Sequence, residues 1–235
     1  MRNQATFLHD VHEFAGSPYE IGLQRGRMTA ERVRKALQGF TTGNPYFKDL
    51  WPKPEHYNLS YFKEHYPSQY NRYIRALENT PDWFREEARG NAEGAGVPYE
   101  KMITAWFPFV FPHEGKAPSS AVSGVEGGLD DDCNGFVAYG KATADSNPLI
   151  GGNGETDHLA IRGKKIILMK NKVGNSFVME TNLPWLNGGQ SGMNEKGVCL
   201  FGSGVSIKPE EWGDFGHRLL IRRLVLQEAN NIDEP

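Results

Sequence analysis

The order of local signals along the chain predicts an α+β fold. Helix-capping residues and helical spacing of apolar side chains dominate from Ser17 to a segment opening at Pro98, strand-like runs follow Cys133, and an amphipathic helix spans 216–230. Helices come first, strands next, and one helix last.

Ser17 and Glu20 have capping-box spacing, with Pro18 at the first helical position, so a helix should start there and run towards Gly39. Gly22 and Gly26 fall four apart on one of its faces. Each costs about 1 kcal/mol of helix propensity relative to alanine, so their expected role is close packing against another element. Arg25 and Arg27 read as solvated or ion-paired side chains. Residues 41–67 are rich in Pro, Tyr, Trp and Phe without clean periodicity, which predicts irregular structure wrapped over a core. Tyr46, Phe47, Trp51, Tyr57 and Tyr61 are expected to pack there; an aromatic lid over a pocket is the competing reading. A helix over 68–79 places Tyr70, Tyr73, Ile74 and Leu77 at helical spacing. Another should begin at Thr80-Pro81 and end near Gly94, and a third should start at Pro98.

The stretch 107–112 is apolar and punctuated by prolines, and from 113 to 132 the composition shifts to Gly, Ser, Pro and Asp, which marks a loop. Strands are predicted over 136–139, 165–170, 176–181 and 197–206, with a hairpin turn over 171–175 and another turn at Asn194-Glu195-Lys196-Gly197. In the last helix Leu219, Leu220, Leu224 and Val225 should face the core. The chain thus divides into a helical region, 1–132, and a β-rich region, 133–235.

Composition bounds the function. The chain has 235 residues, enough for a sizeable core, with 38% hydrophobic and 23% charged residues and a formal net charge of −3. No basic stripe points to nucleic acid. No apolar run reaches membrane-spanning length and residues 1–10 lack the pattern of a signal peptide, so a soluble, cytoplasmic protein is expected. Two cysteines make no disulfide framework. Cys199, between Val198 and Leu200, reads as a buried strand residue with a structural role.

Cys133 is placed differently. It stands between Asp130-Asp131-Asp132 and the strand that opens at Asn134, at a loop-to-strand junction. Nearby carboxylates raise a thiol's pKa, so an attacking thiolate there needs their removal or a nearby base. Scission between Asp132 and Cys133 would supply both. The new α-amine would titrate near pH 7.7–8.0 and could take the thiol proton on the same residue. Pattern alone leaves a nucleophile and an exposed or half-buried thiol at a strand start equally open.

The run Asp132-Cys133-Asn134-Gly135-Phe136, the segment Gly140-Lys141-Ala142-Thr143-Ala144-Asp145 and Gly151-Gly152-Asn153 resemble the acyl-coenzyme A:6-aminopenicillanic acid acyltransferase family of N-terminal-nucleophile hydrolases. Gly16-Ser17-Pro18-Tyr19-Glu20-Ile21-Gly22 with Arg25-Gly26 resembles the family's opening. Ala92-Glu93-Gly94-Ala95-Gly96-Val97 resembles a middle motif. Gly192-Met193-Asn194-Glu195-Lys196-Gly197 resembles a motif shared with the bile-salt hydrolase and penicillin V acylase relatives. The resemblance implies an αββα sandwich, preceded by the helical region and incomplete at its C-terminal end, since relatives carry a further β-rich stretch after the last helix.

It further implies self-cleavage before Cys133, with Asp132 on the other side of the cut and the processing loop at about 113–132. The products would be two chains that stay associated. Cys133 would then form an acyl-enzyme with a small-molecule acyl amide or acyl thioester. Asn153 is the first choice for a polar contact, competing with a plain turn residue between Gly152 and Gly154. Relatives commonly place an Asp two residues past this Asn and an Arg just before it; here those positions are Glu155 and Gly152. Glu155 or Asp157 would hold the amine, and nothing replaces the Arg. The oxyanion-binding Asn of relatives aligns with Gly204, beside Ser203, and does not carry over.

No metal or organic cofactor is expected. Glu155, Asp157 and His158 invite a zinc reading, but no second His or Cys cluster completes a site. His217 could be imagined as a base for Cys133, and a structural helix-end role suits it better. A reading from another class is a non-processed relative acting as a binding or interaction module. Homo-oligomerisation is left open by the sequence.

Overall fold

The computed structural model describes residues 11–41, 56, 58–106, 134–153, 165–181, 188, 191–202 and 218–233. Over these the chain is mixed α/β, about 50% helix and 26% strand. The elements in order are β1 (Val11–Gly16), α1 (Pro18–Thr41), α2 (Leu59–His65), α3 (Pro67–Glu78), α4 (Asp82–Ala95), α5 (Tyr99–Thr104), β2 (Asn134–Gly140), β3 (Ser146–Asn153), β4 (Lys165–Asn171), β5 (Phe177–Thr181), β6 (Ser191–Asn194), β7 (Cys199–Leu200) and α6 (Arg218–Glu228). A five-stranded sheet has the order β1-β4-β5-β6-β7, and β2 pairs with β3 as a separate ribbon. β1 runs parallel to β4, with Val11 opposite Ile166. The other neighbours are antiparallel.

β1 corrects the expectation of a helical region ahead of Cys133. Only Phe14 of this strand is buried, so no alternation announced it, and its partner comes from beyond residue 133. The sheet therefore draws on both sides of the 132/133 boundary. β3 and β6 are further strands that the sequence did not announce, one carrying Pro148 and the Gly151-Gly152 pair, the other only four residues long.

α1 starts as predicted. The Ser17 N–H donates to Glu20 Oε2 at 2.7 Å and the Glu20 N–H donates to Ser17 Oγ at 3.4 Å, the reciprocal bonds of a capping box. These bonds, foremost the one from the Ser17 backbone, hold the Glu20 carboxyl below its usual range, helped by Lys172 Nζ at 3.4 Å. A lowered acid stabilises the fold fully above the ordinary carboxylate pKa of about 4.3 and loses that contribution as pH falls through the lower native value. Glu20→Gln should therefore flatten the acid limb of a circular-dichroism titration. An unchanged limb would mean that the cap contributes nothing.

Gly22 and Gly26 pack against α4, as their spacing suggested. A Cβ built on Gly22 would stand 2.0 Å from the Glu87 carbonyl oxygen, and one on Gly26 would stand 2.2 Å from that of Asn91. The fit is mutual: Gly90 and Gly94 of α4 would meet the carbonyl oxygens of Tyr19 and Leu23 at 2.1 and 2.4 Å. Backbone rests on backbone. α4 then ends on Gly96, whose φ of 68° gives the left-handed cap.

Part of the stretch predicted to be irregular is helical. Asn58 caps α2 by accepting the Tyr61 N–H at 2.8 Å, and the half-buried Tyr61 ring stacks between those of His56 and His65. Tyr46, Phe47, Trp51 and Tyr57 lie outside the described residues, as do 107–133. The predicted helices over 68–79 and 80–94, the one opening at Pro98, and the last one appear as α3, α4, α5 and α6.

Two apolar cores result. Val33, Phe62, Tyr73, Phe84, Met102 and Trp106 centre the helical one; Phe14, Ile21, Ile167, Met169, Phe177, Met179 and Leu226 fill the space between the large sheet and its helices. Glu87 is fully buried among charged partners where the helices meet: Arg25 Nη1 lies 2.5 Å from Oε1 and Arg223 Nη2 lies 2.7 Å from Oε2. Arg25 is ion-paired, as one of its two expected states, but at 2% exposure it is no surface side chain. Gln227 Oε1 accepts from Arg223 Nε and Nη2 at 3.1 and 2.7 Å. Burial pulls the Arg223 pKa down to about 10 against the opposing pull of Glu87, and the Arg25 charge adds to the lowering. Its guanidinium also sits 4.3 Å from the Phe177 ring centroid, inside cation–π range.

The opposite face of the large sheet carries Val11, Leu168, Val178, Met193 and Cys199, all half-buried or exposed. The turn predicted at 194–197 is present. Asn194 Oδ1 accepts the Lys196 and Val198 N–H groups at 3.1 and 3.0 Å, while its Nδ2 donates to the Ala229 carbonyl at 2.7 Å. No helix among the described residues is long and apolar enough to cross a membrane.

Candidate functional site

One predicted site residue, Asn153, has a described backbone, at the open end of the β2–β3 ribbon. β2 begins at Asn134, covalently joined to Cys133, and the antiparallel register sets Asn134 opposite Asn153 at the end of β3. Directly opposed residues of such a pair have Cα atoms about 4.5–5.5 Å apart, and consecutive Cα atoms are about 3.8 Å apart. Asn153 is thus paired with the residue that follows Cys133 in the chain, although a full hairpin separates Asn134 from Asn153 along it. Asp132, Cys133, Glu155, Asp157 and the side chain of Asn153 lie outside what the structure describes, as do His158, Ser203, Gly204 and His217.

The far end of the ribbon is locked by its turn. Gly140 and Ser146 adopt φ values of 58° and 62°. Asp145 accepts the Asn147 N–H at 3.1 Å and its side-chain amide at 2.8 Å, bonds that hold the Asp145 carboxyl below its usual range. The ladder is irregular between Ala138 and Gly140 and regular from Ala138 back to Asn134. A fixed turn fixes register, and register delivers Asn153 to Asn134.

The next pair along the ladder is Gly135 opposite Gly152, and a ring rests on it. A Cβ built on Gly152 would stand 2.2 Å from Cζ of Phe201, and one on Gly135 would stand 2.8 Å from its Cδ1. Phe201 directly follows β7, so it brings the large sheet to the ribbon end. At the adjacent Gly202 a Cβ would meet the Arg222 guanidinium carbon at 1.9 Å, which brings α6 to the same place. Sequence reading assigned Phe201 to a strand and gave it no role. Its signal was the pair of glycines in Asn-Gly-Phe and Gly-Gly-Asn, where side chains are missing from both strands at once.

Cys199 offers a contrast within the same chain. It was predicted to be a buried strand residue; it is on β7 but half-buried, its thiol 3.6 Å from the Gly197 carbonyl oxygen. Burial pushes its pKa up, which lowers the thiolate fraction at neutral pH. Among the described residues no three His, Cys, Asp or Glu side chains group as a metal site.

The ribbon itself exposes Phe136, Val137, Tyr139 and Leu149. Comparison with known proteins finds no matching family model and no matching curated protein.

Proposed function

We propose that the chain is a self-processing N-terminal-nucleophile amidohydrolase or acyltransferase with Cys133 as its nucleophile. The observation that carries this reading is the register of the β2–β3 ribbon, which pairs the residue after Cys133 with Asn153. Acyl chemistry needs an attacking atom and a donor for the developing oxyanion, and this register supports Cys133 for the first role and Asn153 for the second.

Maturation would run in two balanced steps. The Cys133 sulfur adds to the Asp132 carbonyl carbon, the Asp132–Cys133 C–N bond breaks, and the departing nitrogen takes a proton to become the α-amine of Cys133. Water then adds to the thioester and releases Asp132 as a carboxylate with the thiol restored. In turnover the α-amine accepts the thiol proton as sulfur attacks the substrate acyl carbon. The proton passes to the departing amine or thiol, and water or an acceptor amine resolves the acyl-enzyme. In this scheme Glu155 or Asp157 orients the α-amine and Asn153 contacts the acyl oxygen.

The layer order fits the αββα reading in one respect: helices cover one face of the large sheet, while the other presents half-buried apolar residues. Association of two cleaved chains is supported by the contacts that cross the boundary. β1 pairs with β4, Glu87 binds Arg223, Glu13 lies 2.6 Å from Lys170, and Trp83 Nε1 donates to Glu228 at 2.9 Å.

Intact mass under denaturing conditions tests the proposal. Wild type should give two fragments dividing before Cys133 that co-elute under native conditions, and Cys133→Ala should stay whole. Iodoacetamide at neutral pH should label Cys133 ahead of Cys199. A whole wild-type chain with an unreactive Cys133 would transfer support to the non-processed binding module.

A further inference from the structure

We propose that Phe201 is a positioning residue for Cys133, anchoring the open end of the β2–β3 ribbon to the large sheet; the catalytic half of this inference rests on the acyl-transfer reading above. Three observations carry it. The ring lies against Gly135 and Gly152 closely enough that a methyl group on either would overlap it, at 2.8 and 2.2 Å. Those glycines oppose one another in the ladder, one pair away from Asn134 and Asn153. Phe201 itself directly follows β7, which is laddered to β6 and through it to the whole sheet.

A two-stranded ribbon is marginal by itself in water and needs a packing partner to hold a single position. Here the paired glycines let an aromatic ring approach the ribbon backbone from its side, and the ring occupies the volume that a side chain at 152 would fill. The neighbouring Gly202 is held against the Arg222 guanidinium, so the segment 201–202 is braced on the sheet at one end and on α6 at the other. Motion of the ribbon end relative to the sheet must displace this ring. Phe136 cannot do the same work: it leans on Gly151, its cross-strand partner within the ribbon, and is 55% exposed.

Catalytic placement tolerates little error, since a displacement of about 1 Å can cost about a hundredfold in rate. Phe201→Ala should therefore slow self-cleavage by about 10- to 100-fold at temperatures where the variant is still folded, while Phe201→Tyr, which keeps the ring, should cleave within about threefold of wild type. Gly152→Ala alone should also be slow, and the double variant Phe201→Ala with Gly152→Ala should recover part of the loss, because the added methyl then has space. Alkylation of Cys133, normalised to Cys199 in the same molecule, should follow the same order, which general loosening of the fold would not produce. Wild-type cleavage in Phe201→Ala, or single losses that simply multiply in the double variant, would overturn the inference.

The anchor and the chemistry separate cleanly. Urea midpoints measure the anchor without any cleavage: the double variant should melt above Gly152→Ala, and additive losses would mean that ring and glycines do not touch. A whole wild-type chain with coupled midpoints would overturn the catalytic role and leave the anchor standing.

Discussion

Replacing Glu87 by alanine is expected to lower the unfolding free energy by about 3–5 kcal/mol, the usual loss when one member of a buried ion group is removed. Glu87 is 0% exposed and is the carboxylate shared by Arg25 and Arg223, themselves 2% and 1% exposed. Without it two guanidinium groups remain desolvated beside each other, and their mutual repulsion adds to the cost of burial. A shift of the urea midpoint measures the loss. The same physics predicts that the group as a whole adds little: Met at 25 and 223 with Leu at 87 should come within about 1 kcal/mol of wild type or exceed it. If Glu87→Ala cost under about 1 kcal/mol, water would have to reach the group, contrary to its burial.

Gly90→Ala supplies a test in which two effects have opposite signs. Helix propensity favours alanine over glycine by about 1 kcal/mol in a helix interior. Packing opposes it, because the new Cβ would stand 2.1 Å from the Tyr19 carbonyl oxygen, a backbone atom that cannot rotate away. Packing should win: overfilled interiors lose about 1–3 kcal/mol or more, and here two helices would have to separate. A net loss of about 2 kcal/mol or more is expected for Gly90→Ala and for Gly22→Ala, read from chemical denaturation. A gain would mean that α1 and α4 do not touch through their backbones.

What the sequence disclosed follows from how local each determinant is. The start of α1 was legible because Ser17 and Glu20 satisfy each other within three residues, and the Gly22/Gly26 spacing already implied a close neighbour. The hairpin over 171–175 was legible for the same reason, its turn bracketed by two apolar runs. β1 was not, because a strand with a single buried residue gains its identity from β4, far along the chain. β3 hid behind Pro148 and its glycines, and α2 hid in a stretch whose aromatic residues mask its period. Arg25 read as solvated or ion-paired, and only Glu87 and Arg223, from two other helices, decide that it is ion-paired and buried. At the site, the resemblance singled out Asn153, and the register pairs its backbone with Asn134, the residue that follows Cys133 in the chain. The Phe201 seat depends on two absent side chains and a residue from a different sheet, which no local pattern spells out.

The pairing of β1 with β4 has a kinetic side. Its partners are on the order of 150 residues apart, so closing that loop costs about 4.5 kcal/mol of chain entropy from length alone, and synthesis of the intervening chain takes roughly 8–30 s. During that interval α1 and α4 can already clasp, while β1 waits as an unpaired edge for a strand not yet made. Connectivity is what makes the eventual closure unimolecular. A chain severed before closure would have to find its other half by diffusion, whereas one severed afterwards keeps a completed sheet. Backbone scission between α5 and β2 would suit this fold best as a late event, after which the molecule can persist in a state that its separated pieces would be slow to regain.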